Sequence, residues 1–180
     1  MKKICAVTVF IFVSVMLTSC TTYAPGRESG YNRPQYNTDY ASRLPQHSPT
    51  GGKAILVDPN VHAWGAYDNS GALLKAGLAT AGSDYCPDLG RRCHTGSGTF
   101  HINSLGAAGC KSSMFPMPHG GAPMPYCMFF NRNQALHGSP EGEVVEGNVS
   151  HGCVRMHVWD AEWIRYNFAT VGTTVVVRSY

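Results

Sequence analysis

Ser150-His151-Gly152-Cys153-Val154-Arg155, with His137-Gly138 upstream and twelve residues between His137 and Ser150, is the stretch from which the rest of the chain is best read. A thiol attacks a carbonyl only as the thiolate, and an imidazole within hydrogen-bond reach can take its proton and stabilise the resulting charge. Two histidines here frame one cysteine. Gly152 allows a tight turn, so that amides beside Cys153 can be aimed at the oxygen of an attacked carbonyl, an interaction whose loss typically costs about 3 kcal/mol of transition-state stabilisation. Taken singly, the same residues also fit an inert buried thiol beside a core histidine; their joint spacing favours chemistry. His119, in His119-Gly120-Gly121, is a rival base without that downstream spacing, and His62, His101 and His157 read as ordinary surface or core residues.

The N-terminus speaks to the compartment. Lys2 and Lys3 precede an apolar run from Ile4 to Met16 that is short for a membrane span, which reads as a signal peptide over residues 1–19. Leu17-Thr18-Ser19-Cys20 resembles the lipobox of bacterial lipoproteins. That resemblance implies cleavage before Cys20 and acylation of its thiol and new amine; a plain secretory signal and an uncleaved anchor are the alternatives, and all three place the body outside the cytoplasm. Buried acyl chains contribute about 0.8 kcal/mol per methylene, so two or three of them make membrane attachment permanent. Thr21, where inner-membrane lipoproteins of diderm bacteria carry Asp, implies the periplasmic face of the outer membrane. The formal charge of +3 falls to +1 without Lys2 and Lys3, which is no signature of nucleic-acid binding.

Of seven cysteines, Cys5 leaves with the signal and Cys20 carries lipid, so five remain. Cysteines tend to pair in an oxidising envelope, and the odd one is a candidate reactive thiol. Cys86 and Cys93 flank six residues that include Pro87 and Gly90, which favours their pairing and then that of Cys110 with Cys127, although sequence alone lets any of the five be the odd one. Zinc held by His94 and these thiols ranks below disulfides, because no tight Cys-x-x-Cys pair is present. Neither a metal nor a cofactor is expected.

Residues 20–52 are rich in Tyr, Pro, Ser, Asn, Gly and Thr without an apolar period, which reads as a lipidated Cys and a flexible tether of about 30 Å as a random coil. From Lys53 the character changes, and residues 53–180 read as one domain. Strands are expected at Ala54 to Val57, Val61 to Tyr67, Ala72 to Leu78, Thr99 to Ile102, Tyr126 to Phe130, Gln134 to His137 and Thr174 to Arg178, the second and third joined by a hairpin through Asp68-Asn69-Ser70-Gly71. One helix is expected over Ala161 to Phe168, capped by Asp160, with Ile164 and Phe168 on its packed face. Trp159 and Trp163 share that spacing and read as core.

His-Gly, a spacer, then Ser-His-Gly-Cys-Val-Arg resembles the signature of the L,D-transpeptidase (YkuD-type) catalytic domain. Thr95-Gly96-Ser97-Gly98-Thr99-Phe100-His101-Ile102 is similar to the strand entrance of that family, and Met124-Pro125-Tyr126-Cys127-Met128-Phe129-Phe130 to the segment leading to its first histidine. The resemblance covers most of residues 53–180. It implies a mainly β fold, an L,D-transpeptidase-like sandwich or barrel with one short helix after the catalytic Cys. It also implies roles: Cys153 as nucleophile, His137 as base, and Gly138 as the carbonyl holding it. His151, the amides of Gly152 and Cys153, and Ser150 would shape the oxyanion site, and Arg155 would stabilise the site or bind a substrate carboxylate. Two departures stand out: the spacer is short for the family, and His94 replaces the Pro of its Pro-Thr-Gly element.

The implied reaction is acyl transfer from peptidoglycan stem peptides through a Cys153 thioester. The acceptor is a diaminopimelate amine for a 3→3 crosslink, a lysine of an envelope protein for wall anchoring, or water for trimming. Two rivals stand beside it: a hydrolase on the same scaffold, and a non-catalytic peptidoglycan-binding lipoprotein.

Overall fold

Ala54–Asp58 forms strand β1, and all five of its residues are buried, because both faces of this strand are covered. Successive side chains of a strand point to opposite faces, so β1 serves two clusters. Ile55 and Val57 enter the main core, while Leu56 packs on the other side with Leu44, Ala63 and Tyr67. The computed structural model describes residues 39–180. The expected signal peptide, the lipidated Cys20 and the first part of the tether lie outside the described residues.

The strands β2 (Ala63–Tyr67), β3 (Leu73–Leu78), β4 (Gly98–His101) and β9 (Thr174–Val177) join β1 in one sheet, in the order β3-β2-β1-β9-β4. Only the β1–β9 pairing in it is parallel. A second sheet has the order β5-β6-β7-β8, from β5 (Ser104–Leu105), β6 (Met128–Asn131), β7 (Gln134–Ser139) and β8 (Val154–His157), with β7 and β8 parallel. Both sheets feed one apolar cluster: Ile55, Trp64 and Val175 come from the first, and Met128, Leu136 and Met156 from the second. This is the mainly β, two-sheet architecture the sequence implied. The hairpin between β2 and β3 also forms as expected, with Asp68 Oδ1 accepting from the amides of Ser70 and Ala72.

Three details differ. The two-residue β5 was not expected, and neither was β8, because Val154-Arg155-Met156-His157 is only four residues long and runs straight into a helix. Its alternation is nonetheless plain in the fold, with Val154 and Met156 in the core. The helix α1 starts earlier than expected, at Val158–Trp163, and continues as a π turn, Ile164–Phe168. Asp160 is therefore not its cap; it sits in the first turn, 3.0 Å from Lys75 Nζ. Ile164 and Phe168 enter the core as expected.

The third difference concerns residues 39–52, expected as flexible tether. They pack on the outer face of the first sheet. A short 3-10 turn, Tyr40–Arg43, leads to Leu44, which is 5% exposed beside Leu56 and Tyr67. Tyr67 Oη donates to the Pro45 carbonyl at 2.8 Å, and the Ser48 amide to that of Gly71 at 2.8 Å. One leucine in a polar stretch is a weak pattern, yet it covers a sheet face that water would otherwise reach. Leu44→Ala should lower unfolding free energy by about 2–4 kcal/mol in urea or guanidinium titrations; a change below 0.5 kcal/mol would mean that this segment does not contribute to the core.

Candidate active site

Parallel pairing of β7 with β8 builds the site. His137 pairs in register with Arg155 and Leu136 with Val154, so Cys153, one residue before β8, falls level with Ala135. Residues two apart on a strand share a face. His137, Cys153 and Arg155 therefore project to the same side, away from Leu136, Val154 and Met156 in the core. All three line one cleft of about 640 Å³, which Ser150 and His151 also border.

His137 is 5% exposed, and its Nδ1 lies 2.8 Å from the carbonyl oxygen of Gly138. A carbonyl only accepts, so Nδ1 carries the hydrogen and Nε2 is left with a lone pair. Burial lowers the His137 pKa to about 4 against the opposing pull of that hydrogen bond, and the Arg155 charge lowers it further. Cys153 is the free cysteine among the described residues, and burial pushes its thiol above the usual range, while the Ala135 backbone and Arg155 work in the other direction. Its Sγ is 3.7 Å from the carbonyl oxygen of Asn133. The resting pair is thus a neutral imidazole and a thiol. Gly138 has a second constraint, since a Cβ there would lie 2.9 Å from Val158 Cα.

Gly152 has φ +119°, a conformation other residues adopt only with strain. Its carbonyl accepts from Thr95 Oγ1 at 2.9 Å, and its amide donates to Ser150 Oγ at 3.0 Å. The Ser150 hydroxyl in turn donates to the Cys153 carbonyl, and Ser150 is 1% exposed. Ser150 is therefore a pin inside the turn. The Gly152 amide thus donates inside the turn, while Ser150 also borders the cleft.

The loops around the nucleophile are stapled twice, by Cys86–Cys93 and Cys110–Cys127. The first loop carries Asp88, whose carboxylate accepts from His151 Nε2 at 2.9 Å; the second carries Phe115, whose ring centroid is 4.5 Å from that of His151. His151 is thus held between the two stapled loops. Arg155 reaches Glu143 at 3.8 Å. His119 does not line the cleft.

Sequence reasoning missed several partners. Asp88 and Phe115 hold His151. Thr95, 1% exposed, also accepts from the Gly82 amide at 3.0 Å. Gln134 joins Gly96 to His94 with bonds of 2.9 Å each. Thr95 was visible in the Thr-Gly-Ser-Gly-Thr run, but its link to Gly152 spans a loop whose course no local pattern reveals. Cys86, Asp88 and His151 place three potential ligand atoms within 4.8 Å of one another, yet Cys86 is bonded to Cys93 and offers no thiolate while that bridge stands.

A neutral resting pair predicts its own pH behaviour. Alkylation of Cys153 by iodoacetamide should accelerate steadily through the alkaline range, since burial holds back the thiolate; a rate plateau already established at pH 5 to 6 would reveal an ion pair instead. With a folded pKa of about 4, below the unfolded value of His137, the unfolded chain binds the proton first. The stability His137 confers is present above roughly pH 6.5 and should fall by about 3 kcal/mol as pH drops through 4. Denaturation midpoints of the protein and of His137→Gln across this window check it: the variant's acid slope should be shallower.

The sequence matches the family model of the L,D-transpeptidase catalytic domain, YkuD, over residues 52–177. No curated protein matches it. Among solved structures, the fold is similar to an L,D-transpeptidase (residues 123–326) of Xylanimonas cellulosilytica, with TM-score 0.60 and 24% identity over 74% of this chain and 62% of that one. An L,D-transpeptidase of Mycobacterium smegmatis gives TM-score 0.56 and 21% identity over 71% and 58%. L,D-transpeptidase 3 of Mycobacterium tuberculosis, solved with a faropenem-derived adduct, gives 0.57 and 20% over 71% and 60%. This chain thus spans about three-fifths of the length of those solved chains. With a family model matched across most of its length and a fold shared with these structures, the chain belongs to the L,D-transpeptidase (YkuD) catalytic domain family.

Proposed function

We propose that this protein is a cysteine acyltransferase acting on peptidoglycan stem peptides, attached by lipid on Cys20 to the periplasmic face of the outer membrane and serving cell-wall biogenesis and cell shape. The observation that carries the chemistry is that one cleft is lined both by a free Cys153 and by a buried His137 whose Nδ1–H is engaged by Gly138. His137 Nε2 takes the thiol proton as Sγ attacks the carbonyl before the terminal D-Ala. The C–N bond then breaks, the leaving amine takes that proton from His137, and a thioester remains on Cys153. An incoming amine attacks the thioester, gives its proton to His137, and releases the thiolate to be reprotonated. The Cys153 amide is the backbone donor left for the oxyanion, since that of Gly152 is engaged by Ser150. Arg155 supplies positive charge beside the reacting carbonyl.

The acceptor is a diaminopimelate side-chain amine or a lysine amine of an envelope protein. A recognition-only role would be favoured by a disulfide through Cys153, but both bridges among the described residues leave this thiol free. The adduct in the Mycobacterium tuberculosis structure supports probing the thiol with penems and carbapenems.

Mass spectrometry of the purified protein with disaccharide tetrapeptides, then with a carbapenem, tests the proposal. Loss of terminal alanine with dimer formation, and a covalent adduct on Cys153, are expected. Both should vanish in Cys153→Ala, with activity reduced at least a thousandfold; undiminished turnover in that variant would overturn the assignment.

A further inference from the structure

Charge is distributed unevenly over this domain. Between residues 39 and 180 the sequence carries ten Lys and Arg and ten Asp and Glu, yet five of those cations line the catalytic cleft against one of the acids, Glu143. The cations are Arg91, Arg92, Lys111, Arg132 and Arg155, and they come from separate pieces of chain. Arg91 and Arg92 sit in or beside the loop closed by Cys86–Cys93, Lys111 follows Cys110 of the second bridge, and Arg132 tips the turn between β6 and β7.

Nearby acids are committed elsewhere: Asp84 to His94, Asp88 to His151, and Glu143 to Arg155. Among the described residues no ion pair to Arg91, Arg92, Lys111 or Arg132 is formed within the chain; Arg92 contacts His94, itself no counter-charge. Arg132 also occupies the left-handed region, with φ +48°, where Gly or Asn sits at less cost. Four uncompensated cations around one concavity focus a positive potential on whatever enters it.

We infer that these four residues form a carboxylate-recognising subsite selecting donor stems whose glutamyl and diaminopimelyl carboxylates are free over stems in which they are amidated. The inference rests on the reading of the cleft as a stem-peptide site and names which stems it takes. An extended peptide in the cleft passes Cys153 with one bond, and its remaining residues meet the stapled loops and the β6–β7 turn. Each free carboxylate there gains an exposed ion pair, worth about two- to fivefold in affinity, and amidation removes it. Two carboxylates give a preference on the order of tenfold, which salt should screen, since the Debye length is about 8 Å at physiological ionic strength.

Binding to full-length Cys153→Ala protein in detergent, which cannot turn over, measures the subsite separately from the chemistry. Titration calorimetry with the free-carboxylate disaccharide tetrapeptide and its amidated counterpart should show the tenfold preference at low salt. It should fall to within twofold when Arg91, Arg92, Lys111 and Arg132 are replaced by Gln, with Lys111→Gln and Arg132→Gln singly each taking part of it. Lys53→Gln, the same charge change as either single variant but outside the cleft, should leave it intact. Equal affinities for the two stems, a preference that survives neutralisation, or one lost equally in Lys53→Gln would each overturn the subsite. Failure of wild-type turnover with the preference present would instead remove the acyl-transfer reading and leave the subsite standing.

Discussion

Register between two parallel strands is the constraint on which this molecule depends. A slip of one residue between β7 and β8 would turn His137 into the core and Leu136 into the cleft, because side chains alternate with period two. The register is held from both sides. Leu136, Val154 and Met156 are anchored in the apolar cluster. On its far flank, the segment from Thr80 to Ser83 runs along the nucleophile strand and its approach, with paired bonds of 2.9 Å between Thr80 and Arg155 and further bonds of 2.9 Å linking Ala81 and Ser83 to Ser150. The same apolar burial that stabilises the domain thus aligns His137, Cys153 and Arg155 on one cleft.

Burial also determines the charge state. An isolated thiolate and imidazolium in a dry wall would each lose hydration, and burial favours the uncharged form of both groups. The chain keeps the tautomer instead of the charge: Gly138 fixes which nitrogen of His137 holds hydrogen. Arg155 acts on both partners in a consistent sense, since its positive charge disfavours imidazolium and favours thiolate. Thr95, Ser150 and Gln134 contribute stiffness, tying the turn at Gly152 to strands that are already packed.

Legibility in the sequence followed the range of the interactions. The β2–β3 hairpin was readable because Asp68 and Gly71 make its turn within four residues. The candidate nucleophile and base were readable because their motif resembles that of a family, and the disulfide pairs because Cys86 and Cys93 flank a short segment that contains Pro87 and Gly90. What escaped was set by distant partners. Leu44 belongs to the core only because Leu56 and Tyr67 need covering, and β8 is a strand only because β7 lies beside it. Asp88 finds His151 at a separation of 63 residues, and Thr95 finds the Gly152 carbonyl at 57. No local periodicity carries such information. Within the motif itself, Ser150 and Gly152 hydrogen-bond each other, a contact that the residue types alone do not announce.

The two bridges have a consequence for how the chain oxidises. Five thiols reach the oxidising side if residues 1–20 behave as expected, and of the roughly fifteen ways to form two bridges among them only about three spare Cys153. Loop closure is easier for short separations, and the bridges found span 7 and 17 residues, whereas Cys153 lies 26 residues beyond Cys127. The spacing of the cysteines along the chain therefore tilts closure, weakly, toward the bridges that leave Cys153 free.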